Sequence, residues 1–189
     1  MSAPERGQAD ITTRARELLA VMHRAADTAA QFIAERSLHR ETLEWRSKAH
    51  QDYVSDVDTG AERIVREALL HSAPSARILG EELSPDATLD ADTLFVVDPL
   101  DGTTNFLHGY PQYAVSIALV VRGTLAAGVV RNVATKETFT GLLGEGATRN
   151  GAPITVSRID DPSLALVGTG FPFRTLEELP RYLRQLEAV

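Results

Sequence analysis

At Arg77 the apolar residues of this chain stop recurring every three or four positions and begin to run in strand-like stretches, and that change of period constrains the fold most. Before it, Ile11, Ala15, Leu18, Met22, Ala25, Ala29, Phe32 and Ile33 form one apolar stripe, which predicts a helix over residues 10–36 with its charges on the other side. A polar stretch containing the only tryptophan, Trp45, leads to "DTGAERIVREALLHSAP", where Ile64, Val65, Ala68 and Leu69 predict a second helix. Asp58 or Thr59 is expected to cap it, and Thr59 with Glu62 has capping-box spacing. After Arg77, "ARILG", "TLFVVD", "YAVSIALVV", "TLAAGVVRN" and "ETFTGLL" read as strands, with a hairpin connection at Arg122-Gly123. The pattern is therefore α+β: two helices, then a mainly antiparallel sheet.

Beyond the Asn150-Gly151 turn, "PITVS" predicts a short strand and "DPSLALVGTG" another. A helix is expected from Thr175, with Glu178 completing a second capping box and Pro180 in the first turn or at a kink. One strand and one helix cannot bury their faces alone. Residues 1–158 are accordingly expected to form one α+β domain, and residues 159–189 the opening of an incomplete α/β domain, its "LALVG" strand and last helix exposing apolar surface.

Composition limits the partners. The chain is 43% hydrophobic and 24% charged, and its formal net charge of -7 with no long Lys/Arg tract argues against a nucleic-acid or anionic-membrane surface built on bulk charge. Cysteine is absent, which removes disulfides and thiol catalysis. No apolar run approaches the roughly 20 residues of a membrane span, and the N-terminus lacks a signal-like core; a cytoplasmic location is expected.

The chemistry concentrates in "FVVDPLDGTTNF". Asp98 closes an apolar strand, and Pro99 forces a turn that returns Asp101 beside it. Two carboxylates facing one small volume either raise a pKa or draw in a hard divalent cation. Gly102 lets the backbone approach a ligand, and the amides of Gly102 and Thr103, if they open a helical turn, make a nest for phosphate. Asp-Pro or Asp-Gly alone is an ordinary turn former; the whole string is not. Upstream, "ILGEEL" repeats the layout with Glu81 and Glu82, of which at most one can face Asp98, because strand neighbours point to opposite sides. An isolated Glu-Glu is commonly a solvated edge, and Asp56 and Asp58 are ordinary helix-capping residues. His108 either lines the mouth of this site or stands as a solvated loop histidine.

The strings "GEE" at 80–82 and "DPLDGTTNF" at 98–106 resemble the signatures of the inositol monophosphatase family of magnesium-dependent, lithium-sensitive phosphatases. The resemblance runs from about Lys48 to about Arg174, including "YVSDVDTGAERIV", "GEGATRNGAPITVS" and "GTGFPF". It implies the layered αβαβα sugar-phosphatase fold, here its N-terminal half, and a homodimer. It further implies that Glu81, Asp98, Asp101 and the main-chain carbonyl of Leu100 hold Mg²⁺, that Glu81 and Thr103 orient the attacking water, and that Asp58 hydrogen-bonds Thr103. Asp101, Gly102, Thr103 and Thr104 would meet the phosphate. Lys48 matches a basic residue near the site, at a spacing to Asp52 one residue short. The family's further metal-binding aspartate lies in a downstream Trp-Asp-x-Ala segment, and no tryptophan follows Trp45.

Other chemistries lack their motifs: no Gly-x-Ser-x-Gly elbow, no Walker loop and no His-Glu-x-x-His is present. The implied reaction is hydrolysis of a small polyol phosphate, inositol monophosphate first, by metal-activated water. Histidinol phosphate, fructose bisphosphate and nucleotide 3'-phosphates are the alternatives within the enzyme class. Outside it stands a catalytically incomplete binding or assembly module.

Overall fold

The computed structural model of the chain describes residues 3–43, 45–49, 52–84, 91–172 and 175–188. Helix α1 (Ala3–Arg36) runs for 34 residues, and the predicted stripe is its inner face: Ala15, Leu18, Met22, Ala25, Ala29 and Ile33 are buried. Ile11 and Phe32 pack at its margins. A short 3-10 helix (Ser37–Thr42) follows. The polar stretch then forms a two-stranded antiparallel hairpin, β1 (Trp45–Ala49) and β2 (Asp52–Ser55). Its ladder rests on backbone pairing rather than an apolar alternation, which is why no strand pattern marks it in the sequence.

Helix α2 (Asp56–Ser72) is capped by Ser55, not by Asp58 or Thr59. Ser55 has an extended backbone, φ -120 and ψ 170, and its hydroxyl accepts from the Val57 amide, while the Asp58 carboxylate reaches back to the Ser55 amide at 2.8 Å. Ser55 and Asp58 have the same spacing as Thr59 and Glu62, and the pair further upstream takes the cap. Thr59 instead donates to the Asp56 carbonyl. Glu62, freed from the helix end, is fully buried.

Seven strands form one sheet in the order β3-β4-β5-β6-β7-β8-β9: β3 (Arg77–Gly80), β4 (Thr93–Asp101), β5 (Ala114–Val121), β6 (Thr124–Asn132), β7 (Thr138–Leu142), β8 (Gly146–Arg149) and β9 (Ala152–Ile154). Every pairing is antiparallel except β3 with β4. Two-residue turns at Arg122-Gly123 and Asn150-Gly151 close β5 to β6 and β8 to β9, as their sequences predict. Helix α1 lies across β5 and β6, and α2 lies across β4 and against α1. Between helices and sheet, Phe95, Val97, Ile117, Leu119 and Val129 are almost wholly buried, each side chain contributing about 1.5–3 kcal/mol through burial.

The single parallel pairing positions the site. Gly80 is level with Val97, so Glu81 and Asp98 leave the same sheet edge side by side. No antiparallel arrangement of β3 would deliver both carboxyl-terminal ends there.

From residue 155 onward the outcome differs from expectation. "DPSLALVGTG" does not form a strand; it holds a short 3-10 turn (Pro162–Leu164), with Asp161 accepting from the Ser163 amide at 2.9 Å. A strand requires a neighbouring edge for its N–H and C=O groups, and none of the described strands pairs with this segment. Leu166 is fully exposed. Thr175 makes no side-chain cap; a 3-10 turn (Leu176–Glu178) leads into α4 (Leu179–Glu187), with Pro180 in the first turn. Phe171 packs edge-on against Tyr182 at 5.9 Å, folding the segment back on that helix. Among the described residues no helix is long and apolar enough to cross a membrane.

Candidate active site

At the end of β4 the register with β5 shifts between Asp98 and Asp101. Pro99 and Leu100 fill the shift, and the Leu100 amide donates to Asp98 Oδ1 at 3.2 Å, holding the aspartate turned over its own backbone. Burial pushes the Asp98 carboxyl up from an ordinary 3.8 to about 7, and the neighbouring charges of Glu81 and Asp101 add to the shift, with a hydrogen bond to the Glu81 side chain. Three carboxyl groups therefore meet at the edge where β3 and β4 end. Glu81, in the turn that follows β3, hydrogen-bonds Asp98 and brings its charge beside it.

Gly102 makes the corner, with φ at 93 and ψ at 38. A Cβ at this position would stand 2.8 Å from the Gln112 carbonyl oxygen, so glycine serves both the left-handed backbone and the close approach. Gly102→Ala is expected to cost about 1–3 kcal/mol, read as a fall in thermal midpoint of several degrees. An unchanged midpoint would mean that the loop is not held in this conformation.

Helix α3 (Thr103–Leu107) starts directly after the corner. Phe106, fully buried and edge-on to Tyr113 at 5.4 Å, anchors this short helix to the core. The Thr103 hydroxyl lies 2.6 Å from Asp58 Oδ1 and 3.1 Å from the Leu100 carbonyl. The other oxygen of Asp58 accepts from the amide and hydroxyl of Ser55. Asp58 is thus a capping residue and the partner of Thr103 at once. Thr104 is exposed, and its carbonyl faces His108 Nδ1 at 2.8 Å, which makes His108 a solvated loop histidine tied to its own helix. Lys48 lies in β1, and its side chain falls outside the described residues.

The donor set suits a hard cation: three carboxyl groups and the Leu100 carbonyl, with no sulfur and no imidazole. Among the described residues no three or more His, Asp or Glu side chains are gathered closely enough to hold a metal ion by themselves. A concavity of about 150 Å³ opens beside Asp101 and Gly102, with Tyr113 and Asn132 in its wall. Ligand pockets usually reach roughly 300 Å³ or more, so this space is too small to enclose a sugar.

A sequence profile of the inositol monophosphatase family matches residues 14–188. The chain belongs to the inositol monophosphatase family. Among relatives in this family, the Nus factor SuhB of Pseudomonas aeruginosa is 40% identical over 177 residues, which are 91% of this chain and 65% of that protein. The inositol-1-monophosphatase of Rhizobium meliloti is 40% identical over 172 residues, with the same shares of 91% and 65%. The crystal structure of the extragenic suppressor protein SuhB from Bartonella henselae superposes with a TM-score of 0.70 at 38% identity, covering 75% of this chain and 55% of that one. The chain spans just under two thirds of the length of these curated relatives. The α+β layered fold agrees with the family's.

Three residues at the site have functions that the sequence reading did not assign. Ser55 caps α2, Glu62 accepts from the amides of Glu82 and Leu83, and Arg66 donates to the Ser84 hydroxyl at 2.5 Å. The available signal was periodic: Asp58, Glu62 and Arg66 recur every four residues beside the buried stripe of Ala61, Val65 and Leu69.

Proposed function

We propose that this chain carries the metal- and phosphate-binding half of a Mg²⁺-dependent phosphatase that hydrolyses a small polyol phosphate monoester, inositol monophosphate first. One observation carries the reading: a strand-end carboxylate cluster is joined, through Asp101 and Gly102, to a helical turn whose first hydroxyl is held by a buried aspartate. The name of the Rhizobium relative supports the substrate class.

In this reading Glu81, Asp98, Asp101 and the Leu100 carbonyl hold Mg²⁺, which when bound supplies Lewis-acid neutralisation of charge on the phosphoryl oxygens. The amides of Gly102 and Thr103, with Asp101 and Thr104 alongside, meet the phosphate. Thr103 donates its only hydroxyl proton toward Asp58, so its lone pairs are left to accept from water. Glu81 and Thr103 together would orient that water for in-line attack on phosphorus; as the new P–O bond forms the ester P–O bond breaks, and the proton the water gives up balances the one the departing alkoxide takes to leave as the alcohol. Residues 159–189 contribute to the substrate's surroundings, and the working protein is a cytoplasmic homodimer with no nucleic-acid partner.

The test is phosphate release by the purified chain from inositol 1-phosphate, histidinol phosphate, fructose bisphosphate and a nucleotide 3'-phosphate, with and without Mg²⁺ and with added Li⁺. Magnesium-dependent, lithium-sensitive release, fastest on inositol 1-phosphate, is expected. Release without magnesium would contradict the metal reading. A folded chain that releases nothing from any of these would favour the assembly-module alternative.

A further inference from the structure

Helix α2 carries three polar side chains one turn apart on the face turned to the sheet edge, and the proposed chemistry uses only the first. Asp58 holds Thr103. Glu62, one turn on, is fully buried and takes no part in the helix cap. Its Oε2 accepts from the Glu82 amide at 2.8 Å and from the Leu83 amide at 3.1 Å. Arg66, a further turn on, donates to Ser84. The Gly80 amide closes the turn by donating to the Ser84 carbonyl at 3.3 Å. The Gly80 backbone lies so close that an added methyl group would overlap the Glu62 carboxyl. Glu62 and Arg66 therefore fix the 80–84 turn from within the protein, while the side chain of Glu81 projects from that turn to Asp98.

A carboxylate sealed in the core is costly unless its oxygens are satisfied, and here the partners are backbone amides of the residues next to Glu81. We propose that Glu62 is a positioning residue, supported by Arg66, that sets Glu81 against Asp98 by holding the amides of Glu82 and Leu83. The inference rests on the reading of Glu81 as a cation ligand. It adds that α2 is a rigid bar holding both halves of the site: the turn after β3 through Glu62 and Arg66, and the turn after β4 through Asp58. Groups that orient ligands in this way commonly alter metal affinity about tenfold to a hundredfold when replaced.

Glu62→Met keeps the volume and removes the acceptors, and Glu62→Gln keeps one acceptor oxygen that can face both amides. Calorimetric titration with MgCl₂ alone, with hydrogen exchange of the 82 and 83 amides, reads both steps. The expected result is at least tenfold weaker Mg²⁺ binding and faster exchange at both amides in Glu62→Met, with substantial rescue in Glu62→Gln. Arg66→Met is the second probe should Glu62→Met not fold, and a several-fold weakening is expected from it. A folded Glu62→Met or Arg66→Met variant that binds Mg²⁺ like the wild type overturns the inference. If the wild type itself takes up no Mg²⁺, the cation reading fails, and exchange at 82 and 83 alone decides whether Glu62 holds the turn. Unchanged exchange there in Glu62→Met overturns the anchoring as well.

Discussion

Asp98→Asn is expected to make the metal-free chain more stable at pH 8 than the wild type, while removing its response to magnesium. The direction follows from the raised carboxyl. Below about pH 4 both folded and unfolded chains hold the proton, and the group contributes nothing. As pH rises toward 7 the unfolded chain releases its proton and the folded chain keeps it, so folding weakens. Above pH 7 both are ionised and the full penalty remains. A displacement from 3.8 to about 7 would in a sealed interior be worth roughly 4 kcal/mol, but Asp98 is only partly buried, and screening reduces the expected gain on neutralisation to about 1–2 kcal/mol.

Asparagine retains the oxygen that accepts from the Leu100 amide, so the turn itself is preserved. The thermal midpoint of Asp98→Asn in a chelator should therefore match the wild type near pH 4 and exceed it by a few degrees at pH 8. Saturating magnesium, at about 100 times its dissociation constant, should raise the wild type by roughly 2.7 kcal/mol and leave the variant unmoved. Scanning calorimetry across that pH range, with chelator and with Mg²⁺, separates the two effects. A variant less stable than wild type at pH 8 in chelator would mean that no penalty is stored at Asp98. Equal stabilisation of both proteins by magnesium would remove Asp98 from the cation site.

What the sequence made legible divides along the range of the interactions. The α1 stripe, the antiparallel strands and the Asn150-Gly151 turn are local patterns, and the structure follows them. The convergence of Asp98 and Asp101 was also readable, because Pro99 restricts the chain between them to few paths. The cap of α2 was misplaced because two pairs with capping spacing compete within eight residues, and only the burial of Glu62 shows which one loses. The use of Glu62 depends on a turn some twenty residues away, which no local rule reaches. The parallel pairing of β3 with β4 is likewise long-range, though it decides that Glu81 meets Asp98. "LALVG" has strand composition but no partner edge among the described residues, and composition alone does not make a strand.

Asp58 is where stability and chemistry are carried by one side chain, and replacing it two ways should separate them. Its carboxylate, 2% exposed, accepts from the Ser55 amide, the Ser55 hydroxyl and the Thr103 hydroxyl. Asp58→Ala leaves buried donors without partners and removes half of the capping box, which together should cost about 2–4 kcal/mol and lower the thermal midpoint by about 5–15 °C. Asp58→Asn keeps one acceptor oxygen for Ser55 and turns an amide N–H toward Thr103. The Thr103 hydroxyl must then accept from Asn, and its proton turns to the Leu100 carbonyl already 3.1 Å away. The fold should survive within about 1 kcal/mol, since each donor is still satisfied. The lone pairs that would orient water are then reversed or occupied, so turnover should fall about a hundredfold or more. Thr103→Val, which deletes the hydroxyl, should match that loss, and the double variant Asp58→Asn/Thr103→Val should be no slower than either alone. Full turnover in Asp58→Asn would reduce Asp58 to a helix cap. Losses that multiply in the double variant would show that Asp58 and Thr103 act independently, and the hydrogen bond between them would then be a contact without a part in the reaction.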